Sequence, residues 1–338
     1  MAGYLARRLA YTILMVFIVT TITFFLSRVI PGNPARKAAG PHATVEQIIA
    51  IEKEMGLDLP LHIQYFRYFN QLLHGDLGTS LETHRPVLVD IKEYFTATME
   101  LATVSMIITV IFGIPLGVIS AIKQNSLVDH ITRLVSLAGV SIPVFLLALL
   151  FQMAVIKNPD IPIAGRVSTI ISITNPLKPI TGLYLVDSFL TFNWPFFKSA
   201  LVHIALPAIT LACPTLVIIV RMMRANMIEI LQLDYIRAAR ARGIPERRVV
   251  YKHAIRNSLL STITVIGLTY GYTLGGTFLI DALFAWPGLG RYAVNAAQEA
   301  NYPAIMGVTL LIALVYNIVN FIVDVSYGFL DPRIRLDR

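Results

Sequence analysis

The sequence is poor in charge and in cysteine. Asp, Glu, Lys and Arg make up 14% of its 338 residues, whereas soluble proteins average about 25%. The single cysteine, Cys213, excludes an internal disulfide framework. The chain also lacks a G-x-x-x-x-G-K-[ST] phosphate loop, an H-E-x-x-H pair and a G-x-S-x-G elbow. These absences predict no catalytic residue and no metal site in this chain.

The sequence contains long runs of apolar residues without charge. Six of them, each 18 to 23 residues long, could cross a hydrocarbon core of about 30 Å as helices. Buried helices of a large soluble protein are the alternative, but such proteins rarely contain six runs of this length. The sequence predicts an all-α polytopic membrane protein with transmembrane helices at 9–27, 101–122, 134–156, 199–220, 258–280 and 302–324.

The distribution of basic residues predicts the orientation. With the N-terminus inside, the cytoplasmic segments are 1–8, 123–133, 221–257 and 325–338, and the external segments are 28–100, 157–198 and 281–301. The cytoplasmic segments hold sixteen of the 28 Lys and Arg residues, although the external segments are together about twice as long. Both termini are therefore predicted to be cytoplasmic. A cleaved signal peptide is the alternative for the first run, but that run is long for one and no small-x-small site ends it.

Polar side chains within the predicted spans are candidates for lining a path, because their insertion into lipid is costly. Tyr270 and Tyr272 lie in the fifth span, and Asn317 and Asn320 share a face of the sixth. Hydrogen bonding between helices is the other role open to them. No acidic residue lies in the middle of a span, which disfavours a secondary carrier driven by protons or sodium.

Charge is concentrated in "LDYIRAARARGIPERR", residues 233–248. Asp234 is placed to cap a helix that Gly243 ends in the left-handed conformation, and Pro245 suits the first turn of a second helix. The spacing puts four residues on one helix face: Tyr235, Ala238, Ala239 and Arg242. Small alanines there would let a partner approach closely. A solvated basic loop held near anionic lipids explains the charge equally well.

The loop "DYIRAARARGIPERRVVYKHAIRNSLL" resembles the cytoplasmic coupling motif of a known family, the inner-membrane permease subunits of ABC importers in the dipeptide, oligopeptide and nickel branch. The resemblance covers almost the whole chain. It includes "GDLGTSL" with "RPV", "TMELATVS", "RMMRANMIEIL", "LFAWPGLGRYAVNAAQEANYPAIMG" and the closing "DPRIR". The chain departs from the family at Arg237, where an acidic residue is general, at Ser261 in place of proline, and at Asp281 in place of glutamate.

The resemblance implies a type I ABC importer-like permease with six transmembrane helices and a sizeable external loop between the first two, in a prokaryotic inner membrane. Such a chain is not an enzyme by itself. It pairs with a second, related permease, with two cytoplasmic ATPase subunits that bind ATP and Mg²⁺, and with an extracytoplasmic substrate-binding protein. Nucleic acid is not an expected partner.

The resemblance also implies a role for the loop and a class of substrate. The helical segment 233–250 would couple to the ATPase through six residues: Asp234, Tyr235, Ala238, Ala239, Arg242 and Gly243. Peptides are the leading substrate and oligosaccharides the alternative. Nickel ranks lower, because the spans show no His/Cys/Met cluster that suggests a metal path. A receptor or scaffold could use a basic loop as well, but would not need this set of motifs.

Overall fold

The computed structural model describes residues 2–29, 34–40, 42–158, 160–275 and 277–330, and every regular element within them is a helix. In chain order the helices are α1 (Ala2–Val29), α2 (Pro34–Ala39), α3 (Val45–Glu54), α4 (Leu61–Leu73), α5 (Val87–Ile122), α6 (Leu127–Ser141), α7 (Val144–Val155), α8 (Thr169–Thr174), α9 (Tyr184–Leu190), α10 (Trp194–Leu231), α11 (Asp234–Ala241), α12 (Glu246–Arg248), α13 (Ile255–Gly275), α14 (Phe278–Leu283), α15 (Leu289–Gln298) and α16 (Tyr302–Leu330). A π-helical segment, Val249–Ala254, joins α12 to α13. The all-α class is confirmed for the described part of the chain.

The chain divides into two units, residues 1–98 with 287–317 and residues 99–286 with 318–338. The core of the first unit forms where the start of α5 meets α15 and the start of α16. Tyr292 stacks on Tyr94 with ring centroids 4.7 Å apart, and its hydroxyl donates to the buried Asp90 carboxylate at 3.2 Å. Burial and the neighbouring carboxylate raise the pKa of Tyr292. This phenol therefore stays protonated and keeps the donor that Asp90 needs.

Helix α10 is the centre of the second unit and packs against α6, α7, α9 and α13. It runs for 38 residues through Pro207 and Pro214 without ending. Against it lies α5, where a Cβ on Gly117 would stand 2.7 Å from Cβ of Met223. Small residues at such positions let helices approach closely, as is typical of membrane proteins. Gly117 therefore lets α5 and α10 pack closely.

The segment before α10 is held by a buried ion pair in the second unit. The Arg166 guanidinium donates to Glu100 at 2.6 Å, and both side chains are buried. The same guanidinium lies 3.6 Å from the ring centroid of Tyr184. The other Glu100 oxygen accepts the Leu185 N–H at 2.7 Å. Because each charged group has several partners, the pair ties α5 to the segment before α9 and to the first turn of α9.

Four helices of the described chain are long and apolar enough to cross a membrane: Ala10–Ser27 within α1, α5, α10, and Tyr302–Val323 within α16. They cover the first, second, fourth and sixth predicted spans. The predicted span 134–156 is interrupted by extended backbone at Ile142 and Pro143, which separates α6 from α7. The predicted span 258–280 contains most of α13, whose threonines and tyrosines lower its hydropathy. The prediction of six spans is not confirmed by this count.

The bounds of the helices differ from those of the predicted spans mainly because the helices are longer. Helix α5 begins at Val87 rather than 101, and α10 extends to Leu231, eleven residues into the predicted loop 221–257. The predicted span 258–280 ends as helix at Gly275, and α14 follows separately. Hydropathy marks where apolar residues are continuous, whereas a helix continues through polar residues until a breaker or a cap ends it. Span and helix bounds therefore need not coincide.

Candidate functional site

Helix α11 occupies the position predicted for it, but its N-terminus is built differently. The N-cap residue is Leu233, whose side chain offers no hydrogen bond, and Asp234 is the first helical residue. The prediction that Asp234 caps the helix is wrong, because the chain enters the helix one residue earlier. The Asp234 carboxylate instead lies 3.5 Å from Arg237, and both side chains are largely exposed. Arg237, where the family generally has an acidic residue, thus pairs within its own helix.

The C-terminus of α11 confirms the left-handed conformation predicted for Gly243. Its φ of +73° is left-handed. The Gly243 N–H donates to the Arg240 carbonyl at 2.9 Å, and the Ile244 N–H donates to the Ala239 carbonyl at 3.3 Å. These two bonds form a Schellman motif that satisfies carbonyls at the helix end. Pro245, predicted in the first turn of a second helix, takes the N-cap position immediately before α12.

The predicted face of α11 is divided by burial. Tyr235, Ala238 and Arg242 are exposed, whereas Ala239 is buried beside Ile236 in a cluster that includes residues of α5, α10 and the π-helical segment. The prediction that Ala239 shares an open face with the other three is therefore wrong. Three-and-four spacing gives a band of residues but not the side on which the protein core lies. Ile236, which the sequence reasoning missed, is the apolar residue that marks the buried side.

An ion pair closes the turn after α11. The Arg240 guanidinium donates to both Glu246 carboxylate oxygens, at 3.0 and 2.7 Å, and to the Leu231 carbonyl at 3.4 Å. The hydrogen bond from Arg240 holds the pKa of Glu246 below its ordinary value, against the opposing effect of burial. Sequence reasoning missed this pair, although an acidic residue six positions after an arginine across a turn is a usable signal.

Tyr235 connects α11 to the start of α13. Its hydroxyl accepts a hydrogen bond from the Asn257 side-chain amide at 2.7 Å. Between the two residues runs the π-helical segment, whose Val249, Val250 and Ala254 are buried in the same cluster as Ile236. Helix α11 is thus attached to α13 by a hydrogen bond and by a shared apolar core, as well as by the chain.

A buried carboxylate joins α5, α6 and α10 close to this core. Asp129 accepts hydrogen bonds from Ser120 at 2.6 Å, from the Asn125 N–H at 3.0 Å, and from the Arg224 guanidinium at 2.7 and 2.9 Å. The Arg224 hydrogen bonds, helped by the other donors, hold the pKa of Asp129 well below its usual range although burial alone would raise it. Sequence reasoning missed this residue. Its signal was a lone acidic residue in the short basic segment 123–133.

Comparison with known proteins identifies the family of this chain. Residues 113–336 match the family described as binding-protein-dependent transport system inner membrane component. Residues 1–102 match the N-terminal region of membrane components of such systems. The chain belongs to this family. It is therefore a multi-pass inner-membrane permease, and the family description itself names dependence on a binding protein.

Curated relatives match the permease over nearly its full length. A probable D,D-dipeptide transport system permease protein, DdpB of Escherichia coli, is 42% identical over 323 residues, which are 95% of this chain and 94% of the relative. A dipeptide transport system permease protein, DppB of Alkalihalophilus pseudofirmus, is 39% identical and covers 99% of this chain and 100% of the relative. A glutathione transport system permease protein, GsiC of Salmonella paratyphi A, is 34% identical over 335 residues, 99% of each.

The four predicted path residues of the permease have different surroundings. The Tyr270 hydroxyl hydrogen-bonds Thr103 at 2.9 Å, whereas Tyr272 is 76% exposed. The Asn317 amide donates to the Ala313 carbonyl of its own helix at 2.8 Å. Oδ1 of Asn320 is buried and has no hydrogen-bond partner in the described part of the chain. Their role in a path therefore stays a prediction.

Proposed function

We propose that this permease is a subunit of an ATP-driven, binding-protein-dependent importer and forms half of the translocation path for di- and oligopeptides. The names of the curated relatives support peptides: they refer to D,D-dipeptides, dipeptides, di- and tripeptides, and glutathione, itself a tripeptide. None of these names refers to an oligosaccharide or to nickel. Peptides therefore remain the leading substrate.

The proposed topology has six spans with both termini cytoplasmic. The four long apolar helices supply the first, second, fourth and sixth spans. Helices α6 and α7 together would form the third span and α13 the fifth. The basic density of segment 221–257, which includes α11, supports its placement on the cytoplasmic side.

The coupling element is α11, and the observation that carries this proposal is its two-sided construction. One side inserts Ile236 and Ala239 into the apolar core shared with α5 and α10, while the other presents Ala238 and Arg242 to the surroundings. A partner that moves α11 would therefore displace the core of the membrane helices with it. The exposed side offers a small residue for close approach and a cation for pairing with carboxylates.

The π-helical segment supports the same route. π-Helical turns are rare and occur frequently at functional sites. This one lies between α12 and α13, where the hydrogen-bond register of the helix changes. We infer that motion of α11 enters the fifth span here. The partners would be a second, related permease, two ATPase subunits that carry ATP and Mg²⁺, and an external binding protein.

Reconstituted transport tests the proposal. The permease, its partner permease, both ATPase subunits and the binding protein are assembled in proteoliposomes, and uptake of a labelled dipeptide is followed. We expect uptake that requires ATP and the binding protein and that ignores an imposed proton or sodium gradient. Uptake driven by such a gradient without ATP would contradict the proposal and favour a secondary carrier.

A further inference from the structure

Four aromatic side chains gather where α9 meets α10. We call this cluster the aromatic turn; its members are Phe189, Phe192, Trp194 and Phe197. The Trp194 ring lies 5.8, 6.4 and 6.0 Å from the rings of Phe189, Phe192 and Phe197, respectively, measured between centroids. Phe192 is 73% exposed, and Phe189 and Trp194 are each more than half exposed. The second unit thus presents a contiguous apolar surface that its own residues leave uncovered.

The backbone beneath the aromatic turn is fixed. The Asp187 carboxylate is fully buried and accepts N–H groups of Ile180, Thr181 and Gly182 at 2.9 to 3.0 Å, together with the Thr181 hydroxyl at 2.6 Å. Burial raises the pKa of Asp187, but these hydrogen bonds outweigh it and hold the pKa below its ordinary value. The carboxylate therefore stays charged and keeps segment 180–187 closed on itself, which holds α9 in place.

Phe192 adopts a backbone conformation that is sterically unfavourable for phenylalanine. Its φ is +54°, which is rare for a bulky residue and free of this steric cost only for glycine. Its ring is mostly exposed and contacts Trp194 only edge-on, so packing within the chain offsets little of this cost. A glycine at position 192 would adopt this conformation without the steric cost. The phenylalanine therefore suggests that its exposed ring contacts a molecule outside the chain.

The aromatic turn continues into an exposed stripe on α10. Trp194, Lys198, Leu201 and Ile209 recur at helical spacing, and all four are exposed. Because α10 is a candidate membrane span, an apolar stripe along its outside is what lipid chains would contact. The aromatic turn and Lys198 stand at the N-terminal end of that stripe. Tryptophan and other amphipathic side chains are enriched at the membrane–water interface, where lysine extends its ammonium towards the headgroups.

We propose that the aromatic turn is a lipid-interface anchor. It inserts between phospholipid headgroups at the N-terminal end of α10, with the Lys198 ammonium beside lipid phosphate. The continuity of the cluster with the stripe favours lipid over a water-soluble protein partner, because such a partner docking on the turn would meet a face that continues along a candidate membrane span. The proposal requires only membrane insertion, so its failure would leave the import function untouched.

Tryptophan fluorescence tests the proposal directly. The chain has two tryptophans, Trp194 and the fully buried Trp286. The full chain and its Trp194→Phe variant, which retains an aromatic ring, are placed in phosphatidylcholine nanodiscs. The lipids are brominated near the headgroup end or near the methyl end of the acyl chain. The difference between the two proteins reports Trp194 alone.

We expect Trp194 emission to fall more with lipid brominated near the headgroup end than with lipid brominated near the methyl end, and to change little with aqueous iodide. Quenching by iodide without quenching by either lipid would place the turn in water, available to a binding protein, and would overturn the proposal. Resistance to all quenchers would show that residues of this chain or of a second copy cover the turn, with the same consequence. If Trp194→Phe does not fold, the wild-type chain suffices, because Trp286 is shielded.

Discussion

Gly243 offers the sharpest test of the turn that ends α11. A side chain at this position would have room, but the backbone must adopt a left-handed conformation. Its φ is +73°, and nothing lies within 4 Å of the position that a Cβ would occupy. An alanine there meets no clash, so it should cost only the left-handed backbone, about 1 kcal/mol. Asparagine tolerates this conformation and should cost less, whereas valine should cost about 2 kcal/mol or more. The predicted loss of stability is smallest for asparagine, larger for alanine and largest for valine.

The assay is peptide uptake per ATP hydrolysed in the reconstituted complex, together with recovery of the ATPase on purification. Gly75→Val is the matched control: Gly75 has a φ of +78° and open space around its Cβ position, but lies in the first unit. We expect Gly243→Val to lower uptake per ATP or ATPase recovery, and Gly75→Val to leave both unchanged. Normal uptake and recovery in Gly243→Val, or equal loss in Gly75→Val, would refute the reasoning.

Three further changes test contacts in the second unit. Glu246→Gln removes the charge partner of Arg240; since the pair is about half exposed, the unfolding free energy should fall by only about 0.5 kcal/mol. The pKa of Glu246 is lowered by folding, so this contribution is present above the unfolded pKa and lost as pH falls through the folded pKa, as thermal melts in detergent at acid pH would show. Asp129→Asn should cost about 3 kcal/mol in melts at neutral pH, because it leaves a partly buried guanidinium without its countercharge; an unchanged melt would contradict this. Gly267→Ala places a methyl group against Val323 and should cost about 1–3 kcal/mol; failure of Val323→Ala to restore the melting temperature would exclude this clash as the cause.

The sequence predicted features that depend on local chemistry. Long apolar runs marked four helices that the structure contains, and Gly243 was identified as a left-handed helix end because few other residues suit that conformation. The sequence did not allow the burial of individual side chains to be predicted. Ala239 and Ala238 are neighbours of one type on one helix, and only the position of the core decides which of them is buried.

Long-range pairs were out of reach for the same reason. Asp129 and Arg224 are 95 residues apart, and nothing in the sequence near either residue identifies the other. The break at Pro143 shows a different limit. Hydropathy is continuous across it, and prolines are tolerated inside membrane helices, as Pro207 and Pro214 are within α10. Whether a proline ends a helix depends on neighbours that supply the lost hydrogen bond, which a single sequence does not reveal.

Site-specific crosslinking from Ala238 tests the central claim most directly. In a Cys213→Ala background, Ala238→Cys is labelled with a photoactivatable maleimide, and the complex with both ATPase subunits is illuminated. Leu73→Cys, also at an exposed position but in the first unit, is the control. We expect Ala238→Cys to crosslink to an ATPase subunit and Leu73→Cys not to. A labelled Ala238→Cys that assembles normally and forms no crosslink to the ATPase would contradict the assignment of α11 as the coupling element.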